Sequence, residues 1–599
     1  MLLSRGGASG EDDIVPVGSP TNDVQDVRYE PDERPPLPVS VGLGLQYVAI
    51  TAASIVLTPA LLVGTVGGSD DYLTWVVFSA LVVSGVTTVI QVVRVGRLGS
   101  GYILLMGSSS AFLAVCVPAL ERGGGGLLAS LIIISSLCQF VLAAKLSLFR
   151  KIFTPTVAGT VLVLIPVTLA PIIVRRLTDV PAEAASAAAP LTAGLTLAVI
   201  VAISMRATGA FRLWAAAAGL VVGSLVGGLS FGIYDTKRVL EAAWVGLPTL
   251  AWPGIDLSFG PDFWALLPAF VIVTLVGALD TIGDGIAIQR ISWRKPRAID
   301  FQSIQGALAA DGLGNLLSGL LGTVPNTTYA SSIAVADLTR VAARVVGICA
   351  GVMYVGLAFL PKLVAIIVAI PGPVVAAYFI VLMAFLFILG VRILIHDGLD
   401  HRKGFAVGLG FWLGLAFQMD WIFPEYFQGA WSELLGNGMT VGGLTVIILT
   451  QFVELTGPRP RRLKTQLTFE NFTEVDDFLS DFAARGKRTP EMTDRIRGVG
   501  EEMLVTLSRP QADDGPKAER FLLVVARNDG DAVNLEFAAA TDDTNLEDRL
   551  ALLGERVGGP PVEEEISLRL LRHYASSVRH QQFHDTDVIT VRVGPATSL

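Results

Sequence analysis

Histidine is nearly missing from this chain: there are five in 599 residues, and the first is His396. An imidazole proton relay is therefore excluded from everything before that position, which leaves carboxylates as the proton-handling groups there. Cysteine is as sparse. Cys116, Cys138 and Cys349 are widely spaced in apolar runs, the setting of small buried hydrophobes rather than of a disulfide or a metal site. Charge is scarce as well, at 16% of residues against 52% hydrophobic, with a mean hydropathy of +0.60. That balance excludes a soluble multidomain protein, and no nucleic-acid partner is expected. The first residues lack a basic stretch followed by an apolar core, so no secretory signal is expected.

What the chain has in quantity is long apolar runs. Candidate membrane spans fall near 41–64, 72–93, 103–120, 127–146, 155–174, 191–205, 211–231, 263–288, 302–322, 328–338, 342–360, 373–394, 405–423 and 439–455, about fourteen in all. The runs at 103–120 and 328–338 are short or polar at one end and would not cross as ordinary helices. Basic residues gather in alternate loops: Arg94 and Arg97, Lys145 to Lys151, Arg206 and Arg212, Arg290 to Arg297, Arg340 and Arg344, then Arg392 to Lys403. The positive-inside rule puts those loops, and both termini, in the cytoplasm, as expected of a multi-pass protein of the cell (inner or plasma) membrane. The lipid bilayer is thus the first partner.

The two halves look like copies. Pro155-Thr-Val-Ala-Gly159 returns as Pro373-Val-Val-Ala-Ala377, 218 positions later, and Gly107-Ser-Ser-Ser-Ala-Phe112 has its counterpart near Thr327-Thr-Tyr-Ala-Ser-Ser332. Seven spans separate the copies, and an odd number reverses orientation. The expected fold is an all-α polytopic membrane protein in a 7+7 inverted repeat, with strand-like breaks in segments 3 and 10 and a C-terminal cytoplasmic α+β domain. Matched broken segments point to a binding site, because unwound backbone is tolerated at membrane depth only where it lines a cavity.

The expected domains are an acidic disordered tail over 1–39, a transporter body over 40–456, a basic linker over 457–464 and the α+β domain over 465–599. In the last, helices are expected at Glu491–Leu507 and Glu563–Val578, a hairpin at Phe521–Arg527 and Ala532–Ala539, and a strand at Val588–Val593. His573, His580 and His584 have the spacing of no standard metal site.

Asp280 and Asp284 stand one helical turn apart in the eighth span, on one face. A carboxylate at bilayer depth costs roughly 2.5 to 3.5 kcal/mol on insertion scales, which makes the pair a functional-site hypothesis. Two such neighbours do not both ionise cheaply, so one would hold an exchangeable proton while the other accepts N–H groups of a ligand. Asp311 and Asp337 are secondary and read more readily as helix-end or ion-pair residues.

Asp311-Gly-Leu-Gly-Asn-Leu-Leu-Ser-Gly-Leu-Leu-Gly-Thr-Val-Pro-Asn-Thr-Thr-Tyr329, with Asp280-Thr-Ile-Gly-Asp284, Gly44-Leu-Gln46 and Gly107-Ser-Ser-Ser-Ala-Phe112, resembles the nucleobase/ascorbate transporter family, which includes xanthine and uracil permeases. The resemblance covers about 40–455. It implies a transporter and not an enzyme, a core of segments 1–4 and 8–11 moving elevator-like against a gate of segments 5–7 and 12–14, and a homodimer. It implies cation symport of a xanthine- or uracil-like base, with H+ or Na+ as coupling ion and no other cofactor or metal. The base would lie between segments 3, 8 and 10, against Ser110, Ala111, Phe112, Asp280, Tyr329, Ala330, Ser331 and Ser332. Cation coupling would involve Asp284, Asp280 and Asp337, and structural or gating roles fall to Gln46, Asn326, Thr339 and Arg340. Where the family has Glu or Gln, this chain has Ser331, whose hydroxyl cannot make a two-point contact with an amide edge. Ascorbate-type members are also serine-rich there, so another small organic anion is an alternative substrate. A ligand sensor signalling through the C-terminal domain to a cytoplasmic partner is a further one. That domain faintly resembles the histidine-kinase-like ATPase fold of anti-sigma factors around Arg497-Gly-Val-Gly-Glu-Glu-Met-Leu-Val-Thr-Leu507, with Thr506 near the place of the metal-binding Asn, and no ATP hydrolysis is expected.

Overall fold

The structure, a computed structural model, describes residues 27–144, 154–294, 299–396, 401–423, 425–426, 435, 437–456, 460–468, 471–507, 521–529, 532–539, 573–582 and 587–594. It is mainly helical. Helices α1 (Leu37–Thr65), α2 (Asp70–Val93), α3 (Leu113–Ala144), α4 (Pro155–Leu177), α5 (Ala188–Arg206), α6 (Ala215–Phe231), α7 (Pro261–Ile291) and α8 (Phe301–Leu321) fill most of the first nine candidate ranges. They are followed by α9 (Ala330–Thr339), α10 (Arg344–Ala358), α11 (Pro361–Val368), α12 (Gly372–His396), α13 (His401–Gln418) and α14 (Gly438–Thr456). Seven of the described helices are long and apolar enough to cross a membrane, and an eighth if α10 and α11, bent by 86° at their junction, form one span. Pro361 opens α11 because a proline cannot continue the preceding helix. The chain is a multi-pass membrane protein.

Local chemistry sets the helix ends. The Ser69 hydroxyl accepts from the Tyr72 amide at the start of α2, and Asp70 and Asp71 complement its dipole. The Asp300 carboxylate accepts from the amides of Gln302 (2.8 Å) and Ser303 (3.2 Å) to start α8. Within α3, Gly124 takes φ +67° and ψ −169°, a region closed to side chains, and the helix turns there.

Both breaks are extended, as expected, and they meet. Strand β1 (Met106–Ser108) pairs antiparallel with β2 (Asn326–Thr328), Gly107 opposite Thr327. Beside this crossing α2 lies against α10 at glycine distance: a Cβ on Gly85 would fall 2.5 Å from the Gly351 carbonyl oxygen. Helices α4 and α12 use the same device, with Gly159 and Gly390 each facing the other's carbonyl.

The acidic tail requires a correction. Residues 1–26 lie outside the described residues, but 27–36 form an ordered strap. Tyr29 bridges Val341, the Arg28 amide donates to the Arg340 carbonyl (2.7 Å), and Val27 is buried. Arg294 grips Glu33 through both terminal nitrogens (2.7 and 2.6 Å), and Arg344 pairs with Asp32 (2.6 Å). The acidic residues are held because they neutralise arginines in two loops distant in sequence. The Arg294 guanidinium lowers the Glu33 carboxyl from its ordinary value of 4.5. A carboxylate with a depressed folded value stabilises the strap above its ordinary pKa, and that contribution is lost as pH falls through the lowered one. Arg294→Ala is expected to speed trypsin cleavage at Arg28 and Arg34 at pH 7, and acidification of the unaltered protein through that window to do the same, as peptide mapping would show.

Beyond α14, β3 (Arg461–Gln466), β4 (Phe521–Asp529), β5 (Ala532–Ala539), β6 (Ser577–Gln582) and β7 (Asp587–Val593) form one antiparallel sheet in the order β3-β4-β5-β7-β6. Helices α15 (Phe472–Arg485) and α16 (Pro490–Leu507) share its apolar core through Leu479, Ile496 and Met503. The hairpin, the helix at 490–507 and the last strand agree with expectation. The basic linker does not: Arg461–Lys464 belongs to edge strand β3, where Leu463 faces the core and the charged residues keep the edge soluble. The expected helix Glu563–Val578 lies outside the described residues up to 572, and its end, Ser577 and Val578, is strand β6. Thr506 bonds within its own helix (2.7 Å). His573 is exposed, His580 is on β6, and His584 is outside the described residues.

Candidate functional site

The crossing of β1 and β2 places two helix starts back to back. A short 3-10 turn (Ser110–Phe112) leads into α3, and Tyr329 leads into α9. The opening amides of such helices carry partial positive charge. Helix α7 runs past both. The Phe112 ring, itself buried, comes within 3.8 Å of where a Cβ on Gly277 would stand, and Asp280 is on the same face of α7 one turn later.

Asp280 is half-buried and makes no hydrogen bond or ion pair among the described residues. A carboxylate so placed offers two acceptor oxygens to a pair of N–H donors. Asp284 is buried, and its Oδ2 accepts from the Thr328 hydroxyl of β2 (2.7 Å). An open cleft of about 590 Å³ runs between α7 and α9, with Gly283, Asp284 and Arg290 on one wall and Ala330, Ala334 and Asp337 on the other. The wall at Gly283 is open: a Cβ there would meet nothing within 4 Å. Asp280 is one turn beyond the cleft's inner end at Asp284.

The other expected site residues divide. Ala330 is exposed to the cleft, Ser110, Ala111 and Ser331 are half-buried at the two helix starts, and Ser331 makes no hydrogen bond among the described residues. Ser332 is engaged by its own helix start, donating to the Tyr329 carbonyl (2.5 Å). The Tyr329 hydroxyl donates to the Ser108 carbonyl (2.8 Å) across the bend, so Tyr329 braces the crossing. Asn326 is buried in the ladder opposite Ser108 and donates to the Thr87 hydroxyl (3.2 Å). Thr339 bonds back to Val335 (2.8 Å), and Arg340, at φ +58°, closes α9 and carries the strap. Asp337 lines the wall of the cleft opposite Asp284. It sits exposed, seven residues or roughly 10 Å along α9 from Ala330, and pairs with Arg340 (3.0 Å). Gln46 is half-buried without a hydrogen bond among the described residues. Its neighbour Tyr47 is the one that reaches α9, donating to the Ser332 carbonyl (3.3 Å).

Asp311 is also not the helix-end residue expected. It is in mid-helix, 1% exposed, and its Oδ2 accepts from Thr281 (3.0 Å) and Gln139 (2.6 Å). Thr328 stands 3.4 Å from Thr281, so one buried polar chain runs from Asp284 to Asp311. Gln139, Thr281, Asn315 and Thr328 were missed as site residues. Thr281, Asn315 and Thr328 stand inside the quoted motifs, and Gln139 shows as a carboxamide inside an apolar run.

The family described as the Permease family matches residues 39–420. A Clostridium perfringens protein named as a purine permease is 29% identical over 464 residues, 75% of this chain and 96% of that one. A xanthine permease of Escherichia coli, XanQ, is 28% identical over 447 residues, 71% of this chain and 93% of its own. A uric acid permease of Bacillus subtilis, PucK, is 26% identical over 435 residues, 71% of this chain and 97% of its own.

Proposed function

The chain belongs to the nucleobase/ascorbate transporter family of permeases, and on that footing we propose that it imports a xanthine- or uracil-like base by cation symport, with the proton as coupling ion. It is a transporter and not an enzyme. The observation that carries the substrate reading is Asp280: a half-buried carboxylate without a hydrogen-bond or ion-pair partner among the described residues, one turn beyond a cleft and facing the start of a broken helix. Two ring N–H groups are the complement of its two oxygens, and an aromatic ring would lie toward Phe112. An anionic substrate fits less well, because it would meet Asp280 and Asp284 together. Ser331 supplies a single hydroxyl, and water completes the contact to the base.

The mechanism is an elevator in which α1–α3 and α7–α10 form the moving core and α4–α6 with α12–α14 the gate, in fourteen spans of a 7+7 inverted repeat. The pairings α2 with α10 and α4 with α12 support that division. Both termini are cytoplasmic, in the cell membrane, and the protein works as a homodimer. The cleft then opens inward, at the Arg290 and Asp337 end. The other end is covered: Trp252 donates to the Leu320 carbonyl (2.8 Å), Thr249 to Asp71 (2.7 Å), and Arg238 pairs with Asp70. Proteoliposome uptake of labelled uracil, xanthine, hypoxanthine, urate and ascorbate, with and without a proton gradient, is expected to show accumulation of at least one base only when the gradient is present. Failure of every base to bind or move would sink the reading.

A further inference from the structure

We propose that Gln139 is a positioning residue for transport, holding Asp311 by one oxygen so that the other, Oδ1, takes up the coupling cation. The inference rests on the cation-coupled reading above and adds a residue and an atom to it. Gln139, Thr281, Asp311 and Asn315 are 0%, 0%, 1% and 3% exposed.

The direction of every hydrogen bond around Asp311 follows from one group that cannot be reversed. The main-chain N–H of Asn326 only donates, and it donates to Asn315 Oδ1 (2.7 Å). Asn315 must then turn its amide nitrogen outward, and Nδ2 donates to Gln139 Oε1 (2.8 Å). Gln139 in turn presents Nε2 to Asp311 Oδ2 (2.6 Å), so that oxygen is held as an acceptor. Thr281 donates to the same oxygen (3.0 Å). Oδ1 is left buried with no hydrogen-bond partner among the described residues. A bare anionic oxygen in that setting loses its solvation without replacement, and a proton or sodium ion on it removes the deficit.

The titratable groups facing Asp311 are Asp280 and Asp284 of α7. Among the described residues, α3, α2 and β2 bring Gln139, Thr87, Asn326 and Thr328 to the network, none of which titrates. Loading of Oδ1 therefore relieves like-charge repulsion toward the acid proposed to hold the base. Through Asn315 it is also tied to β2, in the crossing that would move with the core. Proton or sodium binding at one carboxylate thus favours substrate at another.

The test uses the full-length protein in proteoliposomes, with labelled xanthine, between pH 5 and 8 and with or without sodium. Gln139→Leu is expected to lower gradient-driven uptake about tenfold or more, the scale of one hydrogen bond to a charged group, and to move the pH or sodium profile, while gradient-free counterflow falls less than about threefold. Gln139→Glu keeps the shape but donates only when protonated. It is expected to move the same profile with an unchanged melting temperature. Whichever profile moves, pH or sodium, identifies the cation. Unchanged profiles in both variants, or parallel loss of driven uptake and counterflow with a fall in melting temperature, would overturn the proposal. A base that never moves in the unaltered protein counts against the transport reading instead. In that case the infrared carboxyl band assigned by Asp311→Asn still decides the Gln139 proposal: a shift in Gln139→Leu supports it, and an unmoved band overturns it.

Discussion

Asp280→Asn is expected to abolish accumulation of the base, lowering uptake by at least about a hundredfold at subsaturating substrate. The carboxylate now offers two charged acceptors; an asparagine keeps one neutral acceptor and turns an NH2 toward a ligand N–H. Hydrogen bonds to a charged group contribute about 1.5 to 3 kcal/mol each, so losing one and opposing another removes some 3 kcal/mol or more. Asp280 has no bond to any described residue, so the fold should not notice the change. The melting temperature in detergent is expected to stay within a degree or two of the unaltered protein's, which separates a binding defect from a folding one. Asp284→Asn is the informative contrast, since its side-chain carbonyl still accepts from Thr328 and its effect should fall on pH dependence. Normal uptake by Asp280→Asn would remove that residue from the site.

The second large effect is expected at Gly107, where Gly107→Val should cost both stability and transport. A Cβ there would stand 2.6 Å from the Tyr329 hydroxyl oxygen, well inside contact distance. The tyrosine must move, and its bond to the Ser108 carbonyl (2.8 Å) is lost with it. Overpacking costs roughly 1 to 3 kcal/mol and an unmade buried hydrogen bond about 1 to 3 more. The melting temperature should drop and uptake fall at least about tenfold, since the crossing of β1 and β2 sets the start of both half-helices. Adding Tyr329→Ala is expected to restore part of the lost melting temperature but not transport, a non-additivity that assigns the clash to this pair.

Hydropathy placed the helices well, and the Gly-Ser breaks at 107–112 and 327–332 were visible as polar interruptions. Their pairing was not, since nothing local to Gly107 names Thr327. Asp280 and Asp284 were readable as one face, but their different fates were not. Thr328 comes from β2 to satisfy one of them and nothing among the described residues satisfies the other. Asp311 looked like a helix-end residue because its partner Gln139 is 172 positions away. The tail looked disordered from its acid and proline content, and residues 27–36 order only because Arg294, Arg340 and Arg344 are waiting for them.

The amino-acid sequence on its own determined the membrane class, the positions of the apolar helices, the two interruptions and the acidic turn in α7. Each follows from hydropathy and helical period, which act over one or two dozen neighbouring residues. Tertiary structure alone decided that β1 lies on β2, that Tyr47 bonds to α9, that an acidic strap closes on two arginine-bearing loops, and that Asp311 is held by one oxygen. In a low-dielectric interior a buried donor or acceptor without a partner is costly, and the chain supplies partners such as Gln139 and Thr328 across segments whose register no local pattern records.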